Sequence, residues 1–171
     1  MDFRDITKLA MVEYKDHLVK ALDGMTPLEL SWKPSPNANH ALWLAWHIAR
    51  VEDGWINRYI AESDEIWVSD GWAARLEVDA QGSGAGSTVE DVAAFPEIPI
   101  ADITNYHDAV RDAAFKVVEG LTEDDLEKTR IDSRRNFSPT IAWVLAHVAV
   151  EEAQHVGQIA YLRGMLRGIN K

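Results

Sequence analysis

At 171 residues and 19.2 kDa, with 47% hydrophobic residues and seven tryptophans, the chain has the length and apolar content of one well-filled core, expected to form a single domain over residues 1–171. It has no cysteine, which excludes disulfides, thiolate metal ligands and a cysteine nucleophile, so thiol chemistry would need a thiol from outside the chain. A formal charge of −11 and a pI near 4.9 repel phosphate backbones and anionic bilayers, so neither nucleic acid nor a membrane is an expected partner.

The stretch from Met1 to Lys20 mixes Asp5, Lys8, Glu13, Lys15 and Asp16 with apolar residues, unlike a secretory or transit segment. No apolar run approaches the roughly 20 residues that span a bilayer. The expected compartment is the cytoplasm.

Helical periodicity begins at about Phe3, with Ile6, Leu9, Ala10, Tyr14, Leu18 and Ala21 at three-to-four spacing, and ends at Asp23 before Gly24. Thr26-Pro27-Leu28-Glu29 reads as a capping box opening a short turn, which Pro34 and Pro36 close. A second long helix is expected from Asn37 or Asn39 to about Ala61, with Leu44, His47, Ile48, Val51, Trp55 and Tyr59 on one face. The connection after it, about Ser63 to Pro99, has a centre at Gln81–Ser87 that is flexible by composition and a second capping box at Thr88–Asp91. Its length favours a bundle with a long crossover, serving as a mobile connection or as a lid in which Trp67 and Trp72 close over a pocket. A third helix is expected over Ile103–Glu119, stopped by Gly120, with a short turn from Thr122. The fourth is expected to open with Ser138 as cap and Pro139 as first residue, running to Arg167 with Ile141, Val144, Leu145, Val148, His155, Ile159 and Leu162 inward.

A shift of 100 positions superposes Trp43, His47, Ala49 and Glu52 on Trp143, His147, Ala149 and Glu152. Duplication of a helical hairpin and the shared patterning of two amphipathic helices both account for these matches.

Residues four apart on a helix lie one turn apart and about 40° offset, so Glu151 and His155 point the same way, on the stripe of Val148, Ile159 and Leu162. His47 interrupts the apolar face of the second helix in the same manner. A buried unpaired carboxylate costs several kcal/mol, so these positions require compensation. Two imidazoles and one carboxylate from two facing helices form an open divalent-metal ligand set, and Zn²⁺, Ni²⁺, Mn²⁺ and Fe²⁺ all suit it. A buried polar network or salt bridge between the helices is the other reading. His147, one turn before Glu151, is a further ligand, a partner that orients one, or a core histidine, and His147 or Glu152 is a candidate base. Glu152 and His155 form half of a di-iron motif whose second half is missing. Surface or helix-end roles are expected for His17, His40 and His107, Glu13 and His17 forming a solvated pair, and core roles for Trp43, Trp46, Trp55 and Trp143. Neither a phosphate-binding glycine loop nor a nucleophile elbow occurs.

Thr26-Pro27-x-Glu-Leu, Trp32-Lys33-Pro34-Ser35-Pro36, Leu44-Ala45-Trp46-His47-Ile48-Ala49-Arg50-Val51-Glu52, and Glu151-x-x-x-His155-Val156-Gly157-Gln158-Ile159 with Leu162-Arg163-Gly164 together resemble the DinB-like superfamily over nearly the whole chain. The resemblance implies an all-α four-helix bundle with a metal held by His47, position 151 and His155. Many members have His at position 151. The Glu here resembles the branch that includes mycothiol-dependent maleylpyruvate isomerase, and the wider family also contains bacillithiol S-transferases. The activity implied by the resemblance is that of a metal-dependent thiol S-transferase or thiol-assisted isomerase that takes mycothiol or bacillithiol and a small-molecule substrate, with zinc or another divalent ion. A metal-dependent hydrolase and a non-enzymatic, metal-stabilised binding or stress-response module are the alternatives. The long apolar helices are compatible with a homodimer.

Overall fold

In the computed structural model, residues 1–79, 82–132 and 136–168 are described. Gln81, first residue of the stretch expected to be flexible, lies outside them. Helix α1 (Phe3–Leu22) opens on Asp2, whose carboxylate accepts from the Arg4 and Asp5 N–H groups in a capping box. Its buried stripe is Met11, Tyr14, Leu18, Ala21 and Leu22, while Ile6 and Leu9 are 60% and 58% exposed because they lie off that stripe. Helix α2 (Pro27–Ser31) begins as its sequence predicts, on the Thr26–Glu29 capping box with proline in its first turn.

Helix α3 (Ala41–Glu52) starts later than expected. The cap is His40, whose Nδ1 accepts from the Trp43 N–H while Nε2 donates to the Val92 carbonyl, so this histidine sits at a helix end but is buried. Burial pushes its pKa down, in keeping with a neutral ring. All twelve residues of α3 are buried, its apolar ones on several sides of the helix and its three polar ones, His47, Arg50 and Glu52, each against a partner from another part of the chain. The helix continues without a break as a π-helix, Asp53–Ile60, a widened form that is otherwise rare.

The crossover carries three short helices, α4 (Ile66–Ser69), α5 (Trp72–Leu76) and α6 (Val89–Ala93), the last on its Thr88–Asp91 capping box. Far from closing over a pocket, Trp67 and Trp72 are buried and anchor this segment. The Trp67 ring lies against Tyr106 and Trp46, its Nε1 donates to the Asp79 carbonyl, and the Arg50 guanidinium covers it at 4.9 Å. The buried Asp53 carboxylate ties α4 to the bundle by accepting from the Ile66 and Trp67 N–H groups and the Tyr106 hydroxyl.

Helix α7 (Ile100–Gly120) begins three residues before its predicted start, and a 3-10 turn lies beyond it at Glu123–Asp125. Helix α8 (Ile141–Arg167) is capped by Thr140 rather than Ser138, the Thr140 hydroxyl accepting from the Trp143 N–H. The four long elements pack as a ring in which α1 contacts α8 and α7, and α3 contacts α8 and α7, so α1 and α3 face each other across the core. Among the described residues the only β pairing is an isolated antiparallel bridge, Thr129 to Thr140, and no helix is long and apolar enough to cross a membrane.

Candidate metal centre

Helices α3 and α8 bring His47, Glu151 and His155 together, with one ligand atom from each within 4.8 Å of the others. His47 is buried, while Glu151 and His155 are half-buried, so the group stands at the edge of the core with one side toward solvent. The ring nitrogens define the chemistry. His47 Nδ1 lies 2.5 Å from the Ser83 carbonyl and His155 Nδ1 3.0 Å from Gln158 Oε1. The Ser83 carbonyl can only accept, so His47 Nδ1 donates to it and the neutral ring keeps its lone pair on Nε2; His155 Nδ1 donating to the Gln158 oxygen gives the neutral form of that ring the same arrangement.

Those two Nε2 atoms lie 3.6 Å from the same oxygen, Glu151 Oε1. That is beyond hydrogen-bond reach, yet it is the separation of two atoms bonded to one ion at about 2.1 Å and roughly 110–120°. The His155 imidazole, with His47, holds the Glu151 carboxyl well below the usual carboxylate range, so it is anionic. Glu151 in turn raises the pKa of His155, so a proton on that ring competes with a metal cation for the same place. In its neutral form each ring offers an Nε2 lone pair beside the anionic Glu151 oxygen, a donor set that fits a divalent ion.

His147 does not join the three. Its Nε2 lies 3.3 Å from the other carboxylate oxygen, Glu151 Oε2, where it orients the carboxylate. Its ring stacks on Trp143 at 4.3 Å just as His47 stacks on Trp43 at 4.8 Å, so the positions matched by the sequence shift make matching contacts. Trp143 itself departs from the core role expected of it: it is 39% exposed, packed beside the exposed Phe137. His17 and Glu13 are exposed, as expected.

Glu52, His107 and Glu152 form a second group with metal-ligand geometry, fully buried between α3, α7 and α8. Here a cation is already supplied by the chain. Arg111 Nη2 lies 2.8 Å from Glu52 Oε2, 3.3 Å from His107 Nε2 and 4.0 Å from Glu152 Oε2, and its Nε donates to Glu52 Oε1 at 2.8 Å. The guanidinium also donates to the Tyr14 hydroxyl and the Met11 carbonyl, and Tyr14 donates to Glu52 at 2.7 Å. A guanidinium among the three carboxylate and imidazole groups leaves this cluster a bundle-locking ion network.

Three sequence expectations change here. His107 is a buried partner of Glu52 at 3.1 Å, not a surface residue. Glu152, a candidate base, is 0% exposed within the Arg111 cluster and does not line the metal-type site. The carboxylate that interrupts the apolar core of α8 is Glu152, one residue after the predicted Glu151, which stands at its border. Both oxygens of Glu152 lack a hydrogen-bond partner, and burial pushes its pKa well up. Sequence reading missed the cluster, although Glu52 and Glu152 are one of the pairs that the shift of 100 superposes.

Comparison with known proteins supplies two findings. The model of the family described as "MST: Mycothiol-S-transferase" matches residues 8–168. The chain also resembles the crystal structure of the conserved protein of locus from Enterococcus faecalis, at a TM-score of 0.85 and 22% identity, over 98% of this chain and 99% of that one. No curated protein is significantly similar in sequence.

Proposed function

This chain belongs to the mycothiol S-transferase family, and from that premise we propose that it is a metal-dependent S-transferase in which His47, Glu151 and His155 hold Zn²⁺ or a similar divalent ion and a low-molecular-weight thiol is the co-substrate. One observation carries the reading: His47 Nε2 and His155 Nε2 each lie 3.6 Å from the same Glu151 oxygen, the separation of donor atoms around one ion, while each Nδ1 faces an oxygen behind its ring. When bound, the ion lowers the pKa of a coordinated thiol so that a thiolate exists at neutral pH.

The protein's own residues set the rest. His47 and His155 contribute Nε2 without charge and Glu151 contributes one negative charge, so a loaded site is left with one positive charge, which favours a thiolate over a neutral thiol. His147 Nε2 holds the second Glu151 oxygen and keeps the carboxylate turned toward the two rings. Trp143 and Phe137, exposed beside His147, offer an apolar shelf for the carbon skeleton of an electrophile. The cysteine-free chain cannot supply the sulfur itself. In the transfer a sulfur–carbon bond forms as the bond from carbon to its leaving group breaks, and the thiol proton passes to solvent.

Metal analysis of purified protein is expected to find one divalent ion per chain, and the His155→Ala variant is expected to lose it. Loaded protein is expected to join mycothiol to a haloalkyl bimane, with glutathione and bacillithiol as comparison thiols and a reaction without thiol as the control for hydrolysis. Equal metal content in both proteins, or failure of every thiol to bind in calorimetry, would overturn the reading.

A further inference from the structure

We propose that the crossover segment Gly82–Gly84 is a positioning clamp for His47, whose backbone fixes the tautomer and the angle of that ring before any ion arrives. The inference rests on the reading that His47 is a ligand, and it concerns residues that neither the family match nor the ligand set identifies.

Three contacts seat the segment on α3. The Gly82 carbonyl accepts from Arg50 Nε at 3.1 Å, and Arg50 is itself fixed by Glu65 at 2.8 Å. The Ser83 carbonyl accepts from His47 Nδ1 at 2.5 Å. Gly84 then turns the chain away at φ +89°, in a turn closed by the Ser87 N–H to the Gly84 carbonyl at 3.0 Å. A Cβ on Gly84 would stand 2.8 Å from His47 Nδ1, 2.8 Å from Trp43 Cζ2 and 3.0 Å from Trp46 Cζ3, so the backbone is pressed against the ring and its aromatic neighbours. Trp43 stacks on the ring of His47 at an interplanar angle of 12°.

A free neutral imidazole shares its proton between both nitrogens and turns about its side-chain bonds. Here one nitrogen is committed to a carbonyl and one face to an indole, so the other nitrogen is left unprotonated and aimed at Glu151. By linkage, an ion on Nε2 makes Nδ1–H a better donor, so loading tightens the hold of the segment.

Gly86 supplies a matched control. It too has positive φ, +81°, but nothing lies within 4 Å of its added Cβ, so Gly86→Ala shares the backbone strain of Gly84→Ala without the collision. The test uses the full chain in three forms: wild type, Gly84→Ala and Gly86→Ala. Nitrogen-15 ring spectra of the metal-free wild type are expected to show His47 protonated on Nδ1, a measurement that needs no variant. Gly84→Ala is expected to lose that bias and to bind Zn²⁺ about tenfold or more weakly in chelator competition, while Gly86→Ala stays within about twofold of wild type. A wild-type His47 protonated on Nε2, or a Gly84→Ala variant that keeps its tautomer and matches Gly86→Ala in affinity, would overturn the proposal. If the wild type holds the Nδ1–H tautomer yet binds no ion, the clamp stands and the metal assignment falls. If Gly84→Ala does not fold, the wild-type spectrum decides.

Discussion

Arg111 occupies the middle of a fully buried cluster in which two carboxylates and one imidazole would otherwise face one another across the bundle. Its replacement by methionine keeps most of the volume but leaves Glu52 without its bidentate partner, and breaking a buried pair from one side costs about 3–5 kcal/mol. Denaturant unfolding of Arg111→Met is expected to show that loss. Glu152 behaves in the opposite sense, because neither oxygen has a hydrogen-bond partner. Glu152→Met is therefore expected to gain about 1–3 kcal/mol, the usual penalty of an unsatisfied buried polar group. These two residues also mark where reading a helix from its sequence loses phase. Successive residues are about 100° apart, so periodicity located the polar interruption of α8 but assigned the core position to Glu151 rather than Glu152. His107 was beyond such reasoning, since its partner Glu52 is 55 positions away and nothing local announces it.

Among the elements, capping boxes were the most legible feature. Thr26–Glu29 and Thr88–Asp91 form as written, because each needs only bonds within four residues. The start of α8 was less legible, and a distant strand-like contact explains the difference. The Ile141 and Ala142 N–H groups donate to the Lys128 and Leu126 carbonyls at 2.9 Å, and Thr140 bridges Thr129, so the chain stays extended past Ser138 and Pro139 and turns only at Thr140. Thr140→Ala is expected to cost about 1 kcal/mol and Ser138→Ala less than about 0.5 kcal/mol, a contrast that thermal unfolding of the pair will read. Helix α2 is tied to the end of α8 by the Glu29 carboxylate, which accepts from Arg167 Nε at 2.7 Å and Nη2 at 2.6 Å. Arg167 first, then the Thr26 N–H, lowers the Glu29 pKa from 4.5 to about 2. Because the folded value is the lower one, the stabilisation is complete above 4.5 and fades as pH falls toward about 2. Melting temperatures over that interval are expected to fall less steeply for Glu29→Gln than for the wild type.

Taken as a whole, the molecule holds α3 and α8 together by non-covalent packing, with the crossover and α7 between them along the chain, so an ion bound by the proposed ligands on both helices would act as a cross-link in the folded state alone. At a free ion concentration about 100 times the dissociation constant, such binding adds roughly 2.7 kcal/mol, and a strong chelator is expected to lower the melting temperature accordingly. His155→Ala is expected to melt at one temperature with or without chelator. The four long helices and the Glu151–His155 pair were visible in the sequence because each is written in short spacings along a helix. The crossover showed in its length and composition, and His47 was joined to the pair by its place in an apolar face and by the family resemblance. The fastening of the crossover was not, since Trp67, Asp53 and Tyr106 meet only once the chain has folded over itself. The near-parallel stack of Trp43 on His47 carries one more implication. An indole stacked on an imidazole has its excited state perturbed by whatever charge that ring acquires. The emission of this tryptophan-rich chain is thus a built-in optical gauge of what the neighbouring imidazole holds, legible without dye or label.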